Sequence, residues 1–228
     1  AGDIRLLEEA VALLPKIQVA GAKGLDFTKC YPQEAMDEQN VMFDLNYFKY
    51  CFLKTTSIDF NEQKLEQDFR DMARELGGAS SHFFMYRDFQ SRNIMIKDDS
   101  TFFIDYQGGR KGPLQYDIVS LLYQVKAQIP NKLRHTLLTY YKEKLSCYLN
   151  VEDIEFDKYY KLFVLIRLLQ VLGAYGYRGL IQKKSHFIES IPYALKEISL
   201  LSEDLNLPSK LQELSSVLSQ LKNIIEKC

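Results

Sequence analysis

The chain has 228 residues, of which 46% are apolar and 26% charged, and its formal net charge is -1. This apolar fraction is ample for a buried core, which excludes a disordered chain and a disulfide-held scaffold. A dedicated nucleic-acid binder carries a basic excess, whereas here 29 Lys and Arg face 30 Asp and Glu. The most apolar stretch, residues 162–174, is interrupted by Arg167 and Gln170, and residues 1–3 do not resemble a signal peptide. We therefore expect a soluble, cytoplasmic chain that binds neither nucleic acid nor membrane.

The cysteines and histidines are scattered along the sequence. No C-x-x-C pair, H-E-x-x-H or G-x-S-x-G occurs, which argues against a zinc site, a metalloprotease and an α/β-hydrolase. The four cysteines are expected to be isolated thiols: Cys30, Cys51, Cys147 and Cys228.

Apolar residues recur at helical spacing before residue 80. This spacing predicts three amphipathic helices, with faces formed by Ile4, Leu7, Val11 and Leu14, by Val41, Leu45, Phe48 and Phe52, and by Leu65, Phe69, Met72 and Leu76. Pro15 is expected to end the first helix, and Gly77-Gly78 the third.

The period then changes to that of short strands. Apolar or β-branched runs occupy residues 83–86, 94–96 and 101–104, and turn chemistry at 98–100 predicts that the second and third runs form a hairpin. Helical spacing returns after Gly112-Pro113 and persists to the end, with boundaries near Pro130, Asn150, Gly179 and Pro208. A helical body that encloses one small hairpin is uncommon, so the hairpin is the first place to look for chemistry.

Three polar residues flank this hairpin in a pattern suited to phosphoryl transfer. A D-x-x-x-x-N loop from Asp88 to Asn93 precedes the hairpin, and Asp105 follows it. A hairpin brings its two ends together, so these side chains should be neighbours. Transfer from ATP needs an acceptor for the substrate proton and oxygen ligands for Mg²⁺. Either fragment alone would be an ordinary turn or cap, but their combination indicates an ATP- and Mg²⁺-dependent kinase.

At these residues the chain resembles the aminoglycoside/choline phosphotransferase family, whose fold is similar to that of protein kinases. Residues 87–93, 104–107 and 112–122 resemble a bacterial branch that phosphorylates N-acetylmuramate and N-acetylglucosamine at the anomeric hydroxyl. The resemblance covers roughly residues 36–200, including a patch at 169–192, and is specific only in its central part.

The resemblance implies a role for several residues. Asp88 would be the catalytic base, and Asn93 and Asp105 would hold Mg²⁺ against the ATP phosphates. Arg87 and Asp117 would support the catalytic loop, and the role of Arg92 is left open. Tyr86 stands where the family usually has His, which changes the scaffold more than the chemistry.

The fold implied by the resemblance is α+β and mainly helical, a kinase-like C-terminal catalytic lobe whose small β-hairpin carries the active site. In that lobe, residues 1–82 would be helical, 83–125 would form the catalytic loop and metal-binding hairpin, and 126–228 would be helical again. No G-x-G-x-x-G, no G-x-x-x-x-G-K-[ST] and no strand with an obvious phosphate-binding Lys precedes Asp88. We therefore expect the N-terminal nucleotide lobe to be absent from this chain, and the chain alone to turn over little.

The substrate is expected to be a small hydroxyl-bearing molecule, most simply an amino sugar. Acidic Asp37, Glu38 and Asp44 on an aromatic-rich helix either face the acceptor or are solvated charges on a core helix. Arg110 either attracts an anionic substrate or is an ordinary loop charge.

Other functions stay open at this point. They are a kinase-like binding or regulatory module without activity, an aminoglycoside- or choline-type kinase, and a helical interaction domain in which D-x-x-x-x-N is a coincidence.

Two further patterns have structural interpretations. Gly173, Gly176 and Gly179 follow no strand, so a helix end or close packing is favoured over a nucleotide loop. Leucines at 211, 214, 218 and 221 predict a C-terminal helix that packs on its own domain, the alternative being a linker or docking helix.

Overall fold

The computed structural model describes residues 4–150, 152–205 and 207–225. This part of the chain is mostly helical and holds two small antiparallel sheets. The helices are α1 (Ile4–Pro15), α2 (Glu38–Cys51), α3 (Glu62–Gly77), α4 (Leu114–Leu122), α5 (Asn131–Leu145), α6 (Phe156–Tyr175), α7 (Ser185–Ile188), α8 (Ile191–Asp204) and α9 (Gln212–Ile225). The strands are β1 (Phe83–Met85), β2 (Ile94–Lys97), β3 (Ser100–Phe103) and β4 (Arg110–Gly112).

The chain divides into two compact units. The first consists of Ala1–Met36 and Ala79–Tyr160, and the second of Asp37–Gly78 and Lys161–Cys228. In the first unit, α1 packs against α4 and α5, while β1 lies against α4 and β3 against α1. The side chains that fill this core are fully or almost fully buried: Val11, Leu14, Ile118, Val119, Leu121 and Leu137.

The first predicted helix ends at Pro15, as expected, and a π-helical turn follows it. Pro15 is the last residue of α1, and the chain continues as a π-helical turn over Lys16–Ala20, in which the N–H of Gly21 points back to Lys16. Proline has the backbone φ of a helix, and its missing N–H is tolerated where the hydrogen-bond pattern changes. The expectation that Pro15 ends the first helix is therefore confirmed for the α-helix, which one π-helical turn follows.

The predicted hairpin is confirmed. β2 pairs antiparallel with β3, with Ile94 opposite Phe103 and Lys97 opposite Ser100. Its two turn residues, Asp98 and Asp99, have φ of +50° and +55°. Two positive φ values match the right-handed twist of the flanking strands, and Asp tolerates this conformation better than most residues.

A second sheet was not predicted. β1 pairs antiparallel with β4, and Lys111 of β4 also exchanges backbone hydrogen bonds with Glu34 and Met36 on its other side. The Arg-Lys-Gly sequence of β4 has no strand pattern. It is extended because neighbouring backbone supplies partners on both sides.

The second unit confirms two predicted helices and the packing of the C-terminal one. The predicted faces of α2 and α3 are buried, and these helices pack together. The helix α9 packs on α8 and α3 of its own unit, with Leu214 and Val217 fully buried. The prediction that this helix packs on its own domain is therefore correct.

Helix α6 is the longest helix in the described part of the chain, and the chain passes from the first unit to the second at Tyr160–Lys161 within it. In the described part of the chain, Phe156–Ile181 is long and apolar enough to cross a membrane, judged by length and composition alone. The interruptions at Arg167 and Gln170 had led us to expect no such segment. A buried core helix passes the same test, and 56% of this apolar window is buried.

Close packing explains two of the spaced glycines. A Cβ on Gly173 would lie 2.8 Å from the backbone nitrogen of Phe48, and one on Gly176 would lie 2.1 Å from the carbonyl oxygen of Cys51. The prediction of close packing is confirmed at both positions. Cys30, Cys51 and Cys147 are free thiols, as expected, and Cys228 lies outside the described residues.

Candidate active site

The loop between β1 and β2 brings the three motif residues together. Asn93 closes this loop at the end of a single 3-10 turn, Ser91–Asn93. Its side-chain nitrogen donates to the Asp88 carbonyl at 2.8 Å and to Asp105 Oδ2 at 3.2 Å. The backbone N–H of Ile104 donates to the Asn93 carbonyl at 3.0 Å, so the residue before Asp105 is tied to the same loop.

Asp105 lies just after β3 and has a φ of +70°. Its exposed carboxylate accepts a hydrogen bond from the Gln107 side chain at 2.5 Å through Oδ1, while Oδ2 faces Asn93. Residues other than glycine that adopt a left-handed conformation are concentrated at ligand-binding and active sites, where the surrounding structure holds them in that conformation. Asp105 is therefore held in place by its neighbours.

Arg87 has the same unusual backbone, with a φ of +74°. Asp117, in the first turn of α4, holds this backbone through two hydrogen bonds. Its Oδ1 accepts a hydrogen bond from the Arg87 N–H at 2.7 Å, and its Oδ2 accepts one from the Tyr86 N–H at 2.8 Å. Asp117 is fully buried. Burial raises the pKa of this carboxyl to about 7, against the opposing effect of the hydrogen bonds from Tyr86, Gln18 and Arg87.

Tyr86 links the end of β1 to the end of β3. Its hydroxyl donates to the Ile104 carbonyl at 2.5 Å, and its ring packs edge-on against Phe84 and Phe89. Burial, and then the nearby carboxylate of Asp105, raise the pKa of Tyr86 to about 12, so the hydroxyl stays a donor at ordinary pH. A single side chain, two positions before Asp88, is thus tied to the residue before Asp105.

The donor set has the chemistry that Mg²⁺ prefers. Asp105 offers carboxylate oxygens, and Asn93 offers its carboxamide oxygen, because its nitrogen is engaged with Asp88 and Asp105. In the described ranges no three His, Cys, Asp or Glu side chains form a metal-holding group. Magnesium commonly keeps one or two protein ligands and completes its octahedron with water and phosphate oxygens, so these residues fit that ion.

The remaining sequence candidates lie in different places. Asp37 caps α2, where its carboxylate accepts hydrogen bonds from the backbone and the side chain of Asn40. Burial acts to raise the pKa of this carboxyl, but the hydrogen bonds outweigh burial and lower the pKa. Glu38 and the mostly buried Asp44 follow on the same helix, in the second unit. Arg110 lies in the first unit on β4, with its side chain almost fully buried, and donates to the Gly108 carbonyl at 3.2 Å.

Several residues that position the loop were missed in the sequence. Gln124 accepts hydrogen bonds from both the backbone and the hydroxyl of Ser91, at 3.0 and 2.9 Å. A Cβ on Gly108 would lie 4.0 Å from Asp88 Oδ2, so this glycine borders the candidate base. Gln18 contacts Asp117 from another element. The sequence does not show whether a single glutamine points inward or what a single glycine borders. Hydrophobic periodicity therefore gave no signal for Gln124, Gly108 or Gln18.

Comparisons with known proteins agree with this geometry. The model of the phosphotransferase enzyme family matches residues 6–152, a range that contains the loop between β1 and β2, both sheets and α4. The N-acetylmuramate/N-acetylglucosamine kinase of Neisseria meningitidis serogroup B is 25% identical over 203 residues, which is 86% of this chain. The chain spans 59% of the length of that curated relative. The resemblance drawn from the motifs is confirmed: the chain belongs to the phosphotransferase enzyme family.

Proposed function

We propose that this chain is the catalytic part of a cytoplasmic, ATP- and Mg²⁺-dependent kinase that phosphorylates a hydroxyl of an amino sugar. The observation that supports it best is the pair of hydrogen bonds from Asn93 to the Asp88 carbonyl and the Asp105 carboxylate. Phosphoryl transfer is mostly positioning and charge stabilisation, and these three residues are the parts that such a site needs.

Asp88 is assigned as the base. It is half-buried beside Gly108, where the absence of a side chain leaves room for an acceptor. The acceptor oxygen forms a bond to the γ-phosphorus while the bond to ADP breaks, and the hydroxyl proton passes to the Asp88 carboxylate. General-base assistance of this kind contributes about 10²–10⁴ in rate.

Asn93 and Asp105 are assigned as the Mg²⁺ ligands. When bound, the ion supplies positive charge that neutralises the phosphates and orients them for in-line attack. The chain's own contribution is to present the Asp105 carboxylate on a rigid, left-handed residue after β3.

The acceptor assignment has a narrower basis. The relative's name includes two amino sugars, and this name is the basis of the proposed acceptor. Arg110 is proposed to act through its hydrogen bond to Gly108, next to Asp88, because its own guanidinium is buried.

We further propose that the nucleotide lobe is not part of these 228 residues. The hairpin supports this idea, since Met95 and Phe102 are paired across it and are 41% and 52% exposed. Such an exposed apolar face suits a purine ring and an adjoining lobe. The isolated chain is therefore expected to bind nucleotide weakly and to turn over little.

The decisive experiment is an ATP-consumption screen of the full-length protein against hexosamines, aminoglycosides and choline. Asp88→Asn should lower kcat by about 10²–10⁴ on the accepted substrate. Asp98→Asn is a matched control, because it removes a carboxylate from the exposed hairpin turn. Turnover of choline with no hexosamine would refute the amino-sugar assignment, and full activity of Asp88→Asn would refute the proposed mechanism.

A further inference from the structure

A buried glutamine lies behind the catalytic loop and is not used in the mechanism above. Gln18 is fully buried in the π-helical turn Lys16–Ala20, while Lys16 and Ala20 on the same turn are exposed. Single π turns inside helical segments are frequent at functional sites. A buried carboxamide needs partners for both its nitrogen and its oxygen, so its contacts indicate what it does.

Gln18 connects Asp117 to the backbone of α4 and to Tyr141 of α5. Its nitrogen donates to the Leu114 carbonyl at 3.1 Å and to Asp117 Oδ2 at 3.0 Å, which uses both amide protons. Its oxygen accepts from the Tyr141 hydroxyl at 2.6 Å. These residues come from three different parts of the first unit: the π turn, α4 and α5.

This arrangement restricts the rotation of the Asp117 carboxylate. Oδ2 receives Gln18 and the Tyr86 N–H, and Oδ1 receives the Arg87 N–H. Because these three donors come from different directions, the carboxylate cannot rotate without losing one of them. The left-handed Arg87 and the following Asp88 depend on that orientation.

Tyr141 in turn orients Gln18. Its ring is fully buried and packs against Phe156 at a centroid distance of 5.8 Å. Burial raises the pKa of this phenol well above its ordinary value, so its hydroxyl remains a donor throughout the working pH range. The hydroxyl donates to the oxygen of Gln18, and the nitrogen of Gln18 on the other side of the carboxamide faces Asp117.

We propose that Gln18, oriented by Tyr141, is a positioning residue for phosphoryl transfer: it holds the Asp117 carboxylate in the orientation that fixes Arg87 and places the Asp88 base. This inference rests on the proposed function and deepens it. A residue that merely filled space here would need no hydrogen-bond donors, whereas one donor of Gln18 is used on Asp117 and the other on the α4 backbone at Leu114.

The test uses the full-length protein with Gln18→Met, which keeps the length of the side chain and removes its donors, and with Tyr141→Phe, which removes only the hydroxyl. Tyr140→Phe is the matched control, because Tyr140 is the adjacent, half-buried tyrosine of α5. A misplaced catalytic group costs up to about 10²-fold, so we expect kcat to fall roughly 10- to 100-fold in Gln18→Met. Tyr141→Phe should cause a smaller loss, the KM values for ATP and acceptor should stay near wild type, and Tyr140→Phe should have no effect.

A second measurement separates this inference from the proposed function. Hydrogen exchange at the Tyr86 and Arg87 amides requires no turnover, and these amides should lose protection in Gln18→Met and Tyr141→Phe while the core of α5 stays protected. Protection unchanged in both variants would overturn the positioning role, whatever the activity. A fall in stability with kcat and KM unchanged would overturn it as well, since Gln18 would then only support the fold. Full activity of Asp88→Asn would instead refute the proposed function.

Discussion

A hydrogen bond of 2.7 Å joins the backbone N–H of Arg87 to Asp117 Oδ1, although 30 positions separate the two residues. Arg87 has a φ of +74°, a conformation that L-residues rarely adopt, so the bond holds a disfavoured backbone in place. The next residue is Asp88. The candidate base therefore owes its position to a buried carboxylate on α4.

The first prediction concerns the candidate metal site. Asp105→Asn removes one charge but tolerates the left-handed backbone, and it should lower the Mg²⁺-dependent affinity for nucleotide by about tenfold or more. Asp99→Asn, which also has a positive φ, is the control and should leave affinity unchanged. Titration calorimetry with ATP, with and without Mg²⁺, measures both. Equal affinity of the two variants would contradict the assignment of Asp105.

Tyr86→Phe should weaken the link between the end of β1 and the end of β3. The change removes the hydroxyl that donates to the Ile104 carbonyl at 2.5 Å and leaves this acceptor without that donor. The free energy of unfolding should fall by about 1–2 kcal/mol, as measured by urea titration. Tyr106→Phe alters a tyrosine that is 68% exposed and should have little effect. Equal losses in both variants would show that the Tyr86 hydroxyl has no special role.

The Asp117 carboxyl predicts a pH dependence of stability. Burial raises its folded pKa from 3.8 to about 7, with the nearby Asp88 charge acting in the same direction. Between these two values the folded chain keeps a proton that the unfolded chain releases, so stability decreases as pH rises from about 4 to about 7. The total change is on the order of a few kcal/mol.

Asp117→Asn is the reference for that measurement, because it lacks the titrating group. Unfolding of both proteins at several pH values should give a wild-type stability that declines relative to the variant across this window. A difference that grows with rising pH would mean that the carboxyl has a lowered pKa in the folded chain.

Close packing at Gly176 predicts a loss of stability in the second unit. In Gly176→Ala the new Cβ would lie 2.1 Å from the Cys51 carbonyl oxygen, a backbone atom that cannot move without shifting α2. Overpacking of this kind costs about 1–3 kcal/mol in unfolding free energy. Gly77→Ala is a suitable control, since its Cβ would meet only the Glu38 side chain at an ordinary 3.5 Å. Thermal unfolding of the two variants should therefore differ clearly.

Local pattern was enough to predict much of the candidate site. The hairpin depends on neighbouring residues, from the apolar runs of β2 and β3 to the Asp98-Asp99 turn, and a hairpin necessarily returns Asp105 towards Asn93. Helices α2 and α3 were predictable for the same reason, because their buried residues recur with the 3.6-residue period of a helix.

What the sequence by itself determined, then, is the set of local elements and the motif that they carry. Only the tertiary structure decided that Arg110–Gly112 is a strand, that Gln18 points inward, and that Tyr141 reaches it from 123 positions away. Strand pairing and side-chain burial depend on partners that are distant in the chain. The identity of a single polar residue does not indicate which distant residue it will bind. The side chains that surround the loop were therefore predictable only where a local pattern placed them.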